Sequence, residues 1–156
     1  MSEHSLHHAT FTIERKLDFT PQLVFKAWAD PEAKVQWFSG PPEWGKDEHA
    51  LDFRVGGHEH SYGGPPGGAV HKYDGVYKDI VPNERIVLAF DMHLDATLIT
   101  VSTATIEFRP NGSGTRLIYT EQIVFLDGAD NLPGRREGTE AMIDNLEAEL
   151  KRRYAH

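Results

Sequence analysis

The sequence predicts an α+β domain: a curved antiparallel β-sheet wrapped around one long C-terminal α-helix, with two short helices after the first strand. Three observations carry this expectation. Apolar and polar residues alternate with period two in several segments between residues 9 and 125. Two helix starts follow each other at Thr20-Pro21 and Asp30-Pro31. From about residue 132 the apolar spacing changes to that of a helix and keeps it to Tyr154.

Each element has its own justification. From Ala9 to Phe19, Phe11, Ile13, Leu17 and Phe19 alternate with Thr12, Glu14, Lys16 and Asp18, the pattern of a half-buried strand, with Arg15 on its apolar side. Residues 1–8 are expected as a flexible N-terminus and 9–156 as a single domain. After Pro21, Val24, Phe25 and Trp28 fall at helical spacing; after Pro31, Val35, Trp37 and Phe38 form a second short stripe that stops at Gly40-Pro41-Pro42. His49 to Tyr62 alternates again, broken at Gly56-Gly57. Gly63 to Gly68 is predicted as an exposed loop, because four glycines and two prolines in six residues support no regular structure. Val70 to Val81 and Arg85 to Leu94 read as strands joined at Pro82-Asn83-Glu84. Leu98 to Phe108 and Thr115 to Phe125 read as a hairpin around Pro110 to Gly114. Met142, Ile143, Leu146, Leu150 and Tyr154 then share one face of the last helix, whose end carries Lys151, Arg152 and Arg153 in accord with the helix dipole.

Composition narrows the functions. The 156 residues are enough for one sizeable core. With no cysteine, disulfides, thiolate metal sites and cysteine nucleophiles are excluded. A formal charge of -8 is the wrong sign for nucleic acid, and no apolar run approaches the length of a membrane span. A cytoplasmic protein without membrane insertion is the expectation.

Several strings in this order resemble one family. They are Thr20-Pro-Gln-Leu-Val-Phe-Lys-Ala-Trp28, Asp30-Pro31 followed by Trp37-Phe38, Asp52-Phe-Arg-Val-Gly-Gly57, Gly75-Val-Tyr-Lys-Asp-Ile-Val-Pro-Asn-Glu-Arg85, and Gly114-Thr-Arg-Leu117. Together they resemble the activator of heat-shock-protein-90 ATPase homologue-like family, part of the helix-grip (START-like, SRPBCC) superfamily of lipid-transfer domains, pollen-allergen-like proteins and polyketide cyclases. The resemblance covers roughly Phe11 to Arg153. It implies a cavity between sheet and terminal helix and no single shared catalytic set; no cofactor is expected. Many members have two adjacent tryptophans where this chain has Trp37-Phe38, and Gly-Trp where it has Gly138-Thr139. A relative's ligand is therefore not carried over.

Trp37, Trp44, Tyr62, Tyr73, Phe90, Met92 and Met142 are the large side chains expected around that cavity, with the Gly63–Gly68 loop as its gate. Core packing alone would also explain such aromatic and methionine stripes. Glu121 alternates with Leu117, Tyr119, Ile123 and Phe125, which puts a carboxylate on an apolar face; Arg15 has the same anomaly. Either residue would orient a polar ligand, unless a bulge turns it to solvent. Asp52 and Arg54 are expected to pair with neighbouring strands on the outside of the sheet. Nine histidines demand an account. His4, His7 and His8 fall in the N-terminus, His93 on the polar side of its strand, and His156 is the last residue. His58 and His60 share a strand face and, with His49 or His71, are the candidates for a metal site; the plainer reading is surface histidines beside a loop.

The leading functional expectation is non-enzymatic binding of a small hydrophobic or amphipathic molecule. Alternatives are a cyclase- or hydrolase-like enzyme using His71, Glu121 or a cavity tyrosine, and a stress-response or chaperone-linked module. A heat-shock ATPase as partner rests on family analogy alone. A homodimer through an exposed Trp44 segment completes the set.

Overall fold

In a computed structural model that describes residues 4–45 and 47–155, the strands are β1 (Leu6–Leu17), β2 (Glu48–Leu51), β3 (His58–Gly63), β4 (His71–Val81), β5 (Arg85–Leu94), β6 (Thr97–Asn111) and β7 (Gly114–Leu126). The helices are α1 (Pro21–Ala29), α2 (Pro31–Trp37) and α3 (Leu132–Tyr154). One seven-stranded sheet runs β1-β7-β6-β5-β4-β3-β2, antiparallel at every pairing. α+β with two short helices after the first strand is what the sequence predicts.

The helix starts form as their residues dictate. Thr20 accepts a hydrogen bond from the Leu23 N–H, Asp30 from Glu32 and Asn131 from Gly134, and each cap precedes a proline within the first turn. Asp30 also closes α1, since its N–H donates to the Lys26 carbonyl, so one residue ends the first helix and begins the second. The side chains of Ile13, Ile86, Ile106, Leu117 and Phe125 from the sheet meet Ile143, Leu146 and Leu150 of α3 in one buried cluster. α1 packs on β6, β7 and α3, and α2 on α3 and β2.

Two boundaries differ from the sequence reading. β1 begins at Leu6, so His7 and His8 are strand residues opposite Phe125 and Val124, ordered by pairing with the end of β7. Asp52 and Arg54 lie beyond the end of β2 and pair with each other at 2.9 Å rather than with adjacent strands, because the chain turns there through Gly56 (φ +82°). His156 lies outside the described residues.

α2 is fixed to the sheet by a buried polar knot. Lys34 and Glu59 are each 1% exposed. The Lys34 ammonium donates to Glu59 Oε1 at 2.8 Å and to the Tyr77 hydroxyl at 3.1 Å, and Tyr77 donates to the same Glu59 oxygen at 2.7 Å. His49 Nε2 lies 2.8 Å from the other carboxylate oxygen. The ammonium also stands over the rings of Trp28, Trp37, Phe38 and Tyr77, nearest to Phe38 at 4.5 Å. Burial pushes the Glu59 carboxyl up, yet the Lys34 charge and the hydrogen bonds from His49, Lys34 and Tyr77 outweigh it and hold the group at about 2. Burial pulls Lys34 down, against the Glu59 charge and hydrogen bond. In the ion pair, Lys34, Tyr77 and His49 each have a hydrogen-bond partner in the Glu59 carboxylate.

Two outcomes follow from this knot. Glu59→Gln leaves a buried ammonium without its counter-charge and should cost about 3–5 kcal/mol in urea unfolding, whereas Lys34→Met combined with Glu59→Gln should cost clearly less than the two single changes added. Because the folded-state value of Glu59 lies below its ordinary 4.5, its contribution is complete above about pH 4.5 and is lost as pH falls toward 2. The loss is on the order of 3 kcal/mol before the opposing Lys34 desolvation. Acid unfolding followed by circular dichroism should accordingly show a shallower stability loss between pH 4.5 and 2 for Glu59→Gln than for the wild type.

Candidate functional site

Between the concave face of the sheet, α3 and the segment after α2 lies a cavity of about 960 Å³. Its existence follows from the side chains available. On β4, β5 and β6 the inward positions nearest this end are Tyr73, Leu88, Phe90, Met92 and Ala104, while α3 offers Gly134, Gly138, Thr139, Ala141 and Met142. The helix face is small where the sheet is bent away from it, so the two surfaces do not meet. At Gly138 a side chain would begin in open space, since no heavy atom lies within 4 Å of the position its Cβ would take.

The floor is polar and closed on itself. Glu121 is 1% exposed and takes three donors: Tyr119 Oη on Oε1 at 2.8 Å, and Ser102 Oγ at 2.8 Å and Arg135 Nη1 at 2.7 Å on Oε2. Arg135 spends its other terminal nitrogen on Thr100 Oγ1 at 2.6 Å and Asp130 Oδ2 at 3.1 Å. A buried carboxylate is tolerable only when paired and hydrogen-bonded in this way. Burial first, and then the Glu121 charge and hydrogen bond, raise the Tyr119 hydroxyl well above its ordinary range, so Tyr119 is a neutral donor. Burial likewise raises Tyr73, whose ring sits 4.9 Å from those of Phe38 and Phe90.

The mouth is built by residues 38–45, by Asp47 and by the ends of β3 and β4. A 3₁₀ turn at Pro42–Trp44 lays the Trp44 ring against His71, with ring centres 4.7 Å apart and planes 28° apart. Gly40 permits this, because a Cβ there would fall 2.4 Å from the indole. Asp47 accepts from the Gly40 N–H at 3.1 Å and from Ser61 Oγ at 3.3 Å through Oδ2. Its Oδ1 is buried and has no hydrogen-bond partner.

Of the residues expected at a cavity, Trp44, Tyr73, Phe90, Met92, Glu121 and Met142 stand on its wall. Trp37 does not: it is 0% exposed, crosses Trp28 at 4.7 Å and donates its indole N–H to the Ala27 carbonyl, so it belongs to the α1–α2 core. Tyr62 does not either, as its hydroxyl donates to Asp74 at 2.8 Å away from the cavity. Of the expected gate, only Gly63 reaches the wall; the mouth is formed by the segment around Trp44, whose ring is half-buried against His71 while Pro41, Pro42, Glu43 and Gly45 are exposed. The bulge alternative for Glu121 and Arg15 is absent, since β7 pairs with β1 and β6 without a register shift. Arg15 does face inward but is taken by α3, 2.7 Å from Asp144 and 3.6 Å from Glu147, and does not reach the cavity.

The pleat divides the histidines of the supposed metal site. His58 is exposed and His60 lies beside Glu48 and Tyr62 on the convex face, whereas His49 turns inward to Glu59 and His71 to the mouth. Among the described residues no three histidine, aspartate or glutamate side chains are grouped to hold a metal ion. Sequence reasoning missed Lys34, Arg135, Asp47 and Trp28. Arg135 and Lys34 had a signal: Arg135, Thr139, Met142 and Leu146 follow the 4-3-4 spacing of the buried face, and Lys34 lies three and four residues before Trp37 and Phe38. Asp47 had none.

Solved structures with this arrangement come from several bacteria. A protein from Rhizobium leguminosarum described as uncharacterized is 46% identical, with a TM-score of 0.91 over 96% of this chain and 98% of that one. A protein from Rhizobium loti is 42% identical, with a TM-score of 0.85 over 93% and 99%. An AHSA1-like protein from Aeromonas hydrophila, 17% identical with a TM-score of 0.68 over 92% of each chain, shares the fold. No curated protein matches the chain at a significant level. Residues 18–151 match the family described as Activator of Hsp90 ATPase homolog 1-like protein, and with its sheet, its terminal helix and the cavity between them this chain belongs to that family.

Proposed function

We propose that the protein binds a small amphipathic molecule in the cavity between the sheet and α3, without transforming it. The observation that carries this reading is a cavity of about 960 Å³ that opens to solvent along α3, within the range of small-molecule sites, with Tyr73, Leu88, Phe90, Met92 and Met142 on its apolar wall. Here α3 keeps two glycines and an alanine, Gly134, Gly138 and Ala141, on the wall. Glycine inside a helix is unfavourable by roughly 1 kcal/mol relative to alanine, so room at Gly138 is retained at the expense of helix stability. Catalysis is the weaker reading. Glu121, the only carboxylate on the deep floor that is fully buried among the described residues, already accepts from Tyr119, Ser102 and Arg135, and His71 is stacked on Trp44. Neither is placed as a free acid or base opposite an apolar substrate.

Cavity filling tests the reading. Gly138→Leu should raise the melting temperature slightly or leave it unchanged, since it improves helix propensity and meets open space. It should weaken binding of the neutral fluorophore N-phenyl-1-naphthylamine by about tenfold or more, measured by fluorescence titration. Unaltered binding in a well-folded variant, or no binding by the wild type, would show that the cavity is not the site.

A further inference from the structure

The hydroxyls on the cavity wall or directly behind it differ in one respect that bears on the ligand: whether they have found an acceptor. Tyr77 donates to Glu59, Tyr119 and Ser102 donate to Glu121, Ser61 to Asp47, and Thr139 to the Arg135 carbonyl. Tyr73 has none. It is only 9% exposed, and its hydroxyl meets no hydrogen-bond partner among the described residues. Two other side-chain atoms lack a partner, Trp28 Nε1 and Asp47 Oδ1, but both are sealed off. Tyr73 Oη is not one of these and keeps a surface open to the cavity that its residue lines.

The strand gives this hydroxyl its place. Tyr73, Gly75 and Tyr77 share the inner face of β4, and Gly75 pairs with Glu59 on β3 and with Phe90 on β5. Contacts with Phe38 and Phe90 fix the Tyr73 ring, and its Oη lies over Gly75, where a Cβ would come within 3.1 Å of it and 3.4 Å of Leu88 Cδ1. Glycine inside a strand adds no packing and marks a position that another group approaches closely. An O–H that has left water without gaining an acceptor is destabilising, and the cavity is the side from which an acceptor can come.

The charge of that acceptor follows from the groups around it. Lys34 reaches the wall, but its ammonium is spent on Glu59 and Tyr77. Arg135 is spent on Glu121, Asp130 and Thr100. No other lysine or arginine among the described residues lines the cavity. Burial, together with the Glu59 and Glu121 charges, raises the Tyr73 hydroxyl well above its ordinary range, so it is a neutral donor beside two carboxylates.

We propose that the ligand carries an uncharged carbonyl group, as an ester, amide or ketone does, whose oxygen accepts a hydrogen bond from Tyr73 Oη while its apolar body lies against Phe90, Met92 and Met142. This rests on the cavity being the binding site. Tyr73 is then the residue that selects among apolar molecules of suitable size. Free carboxylic acids and phosphorylated amphiphiles are disfavoured, because they would bring an anion to a wall whose cations are committed.

The test uses three ligands with one body: methyl 2-naphthoate, 2-ethylnaphthalene and 2-naphthoic acid. Each is titrated at pH 7 into the wild type and into Tyr73→Phe, which keeps the ring against Phe38 and Phe90, by displacement of N-phenyl-1-naphthylamine. On substitution the ester should lose about threefold to tenfold more affinity than the hydrocarbon, the scale of one neutral hydrogen bond. In the wild type the acid should bind more weakly than the ester. Infrared difference spectra of the ester bound to the wild type give a reading that does not depend on the variant's folding: the C=O stretch should lie below its value in hexane. An unchanged ester-to-hydrocarbon ratio in folded Tyr73→Phe, a C=O stretch at the hexane value, or tightest binding of the acid would overturn the proposal. If the hydrocarbon and the fluorophore still bind in those cases, the cavity reading stands while the carbonyl assignment falls. Failure of all three ligands and the fluorophore together would remove both.

Discussion

The buried contact between Lys34 and Glu59 is the constraint on which the cavity depends. Seven strands and one helix leave the β2–β3 end of the sheet uncovered, since α3 runs over the other end and packs with Ile13, Ile106, Leu117 and Phe125. α2 covers that end, but seven residues bury too little to stay by packing alone. Lys34 supplies a directional attachment across the gap. A charge so buried has one low-energy position, set by the carboxylate, the hydroxyl and the aromatic rings around it. Where α2 is held, the chain after it must follow, and Phe38, Trp44 and Asp47 come to the cavity's rim as a consequence.

A second closed network, Glu121 with Arg135, sits at the opposite side of the same space and fixes the first turns of α3 to β6 and β7. The apolar middle is thus bounded by two polar structures that use nearly all their own donors and acceptors. Groups satisfied in this way hold shape and contribute little to recognition. Among the described residues, the buried side-chain atoms left without a partner, Asp47 Oδ1 and Trp28 Nε1, both belong to residues of the wall.

Much of this fold was legible because each element announces itself through neighbours a few residues away. The alternation of Ile86, Leu88, Phe90 and Met92 marks β5 regardless of its partners, and Asn131-Leu-Pro marks the start of α3. The same local information misplaced Trp37 and Tyr62. Both are large and near the right elements, but which side of a short helix or an edge strand meets the cavity is settled by how α2 docks and how β3 pleats. Glu121 was visible as a carboxylate on an apolar face; that Arg135 answers it across fourteen residues, joined by Ser102 from another strand, was not.

The sequence by itself determined the element types, their order and the family resemblance, because these depend on periodicity and on contacts close along the chain. Tertiary structure decided which charges are spent and which are free. Lys34 finds Glu59 twenty-five residues away and His71 finds Trp44 from a different segment, while Asp47 finds only part of what a carboxylate needs. Pairing of buried charges is set by three-dimensional distance and desolvation, and neither is encoded in the spacing of residues along a strand or helix.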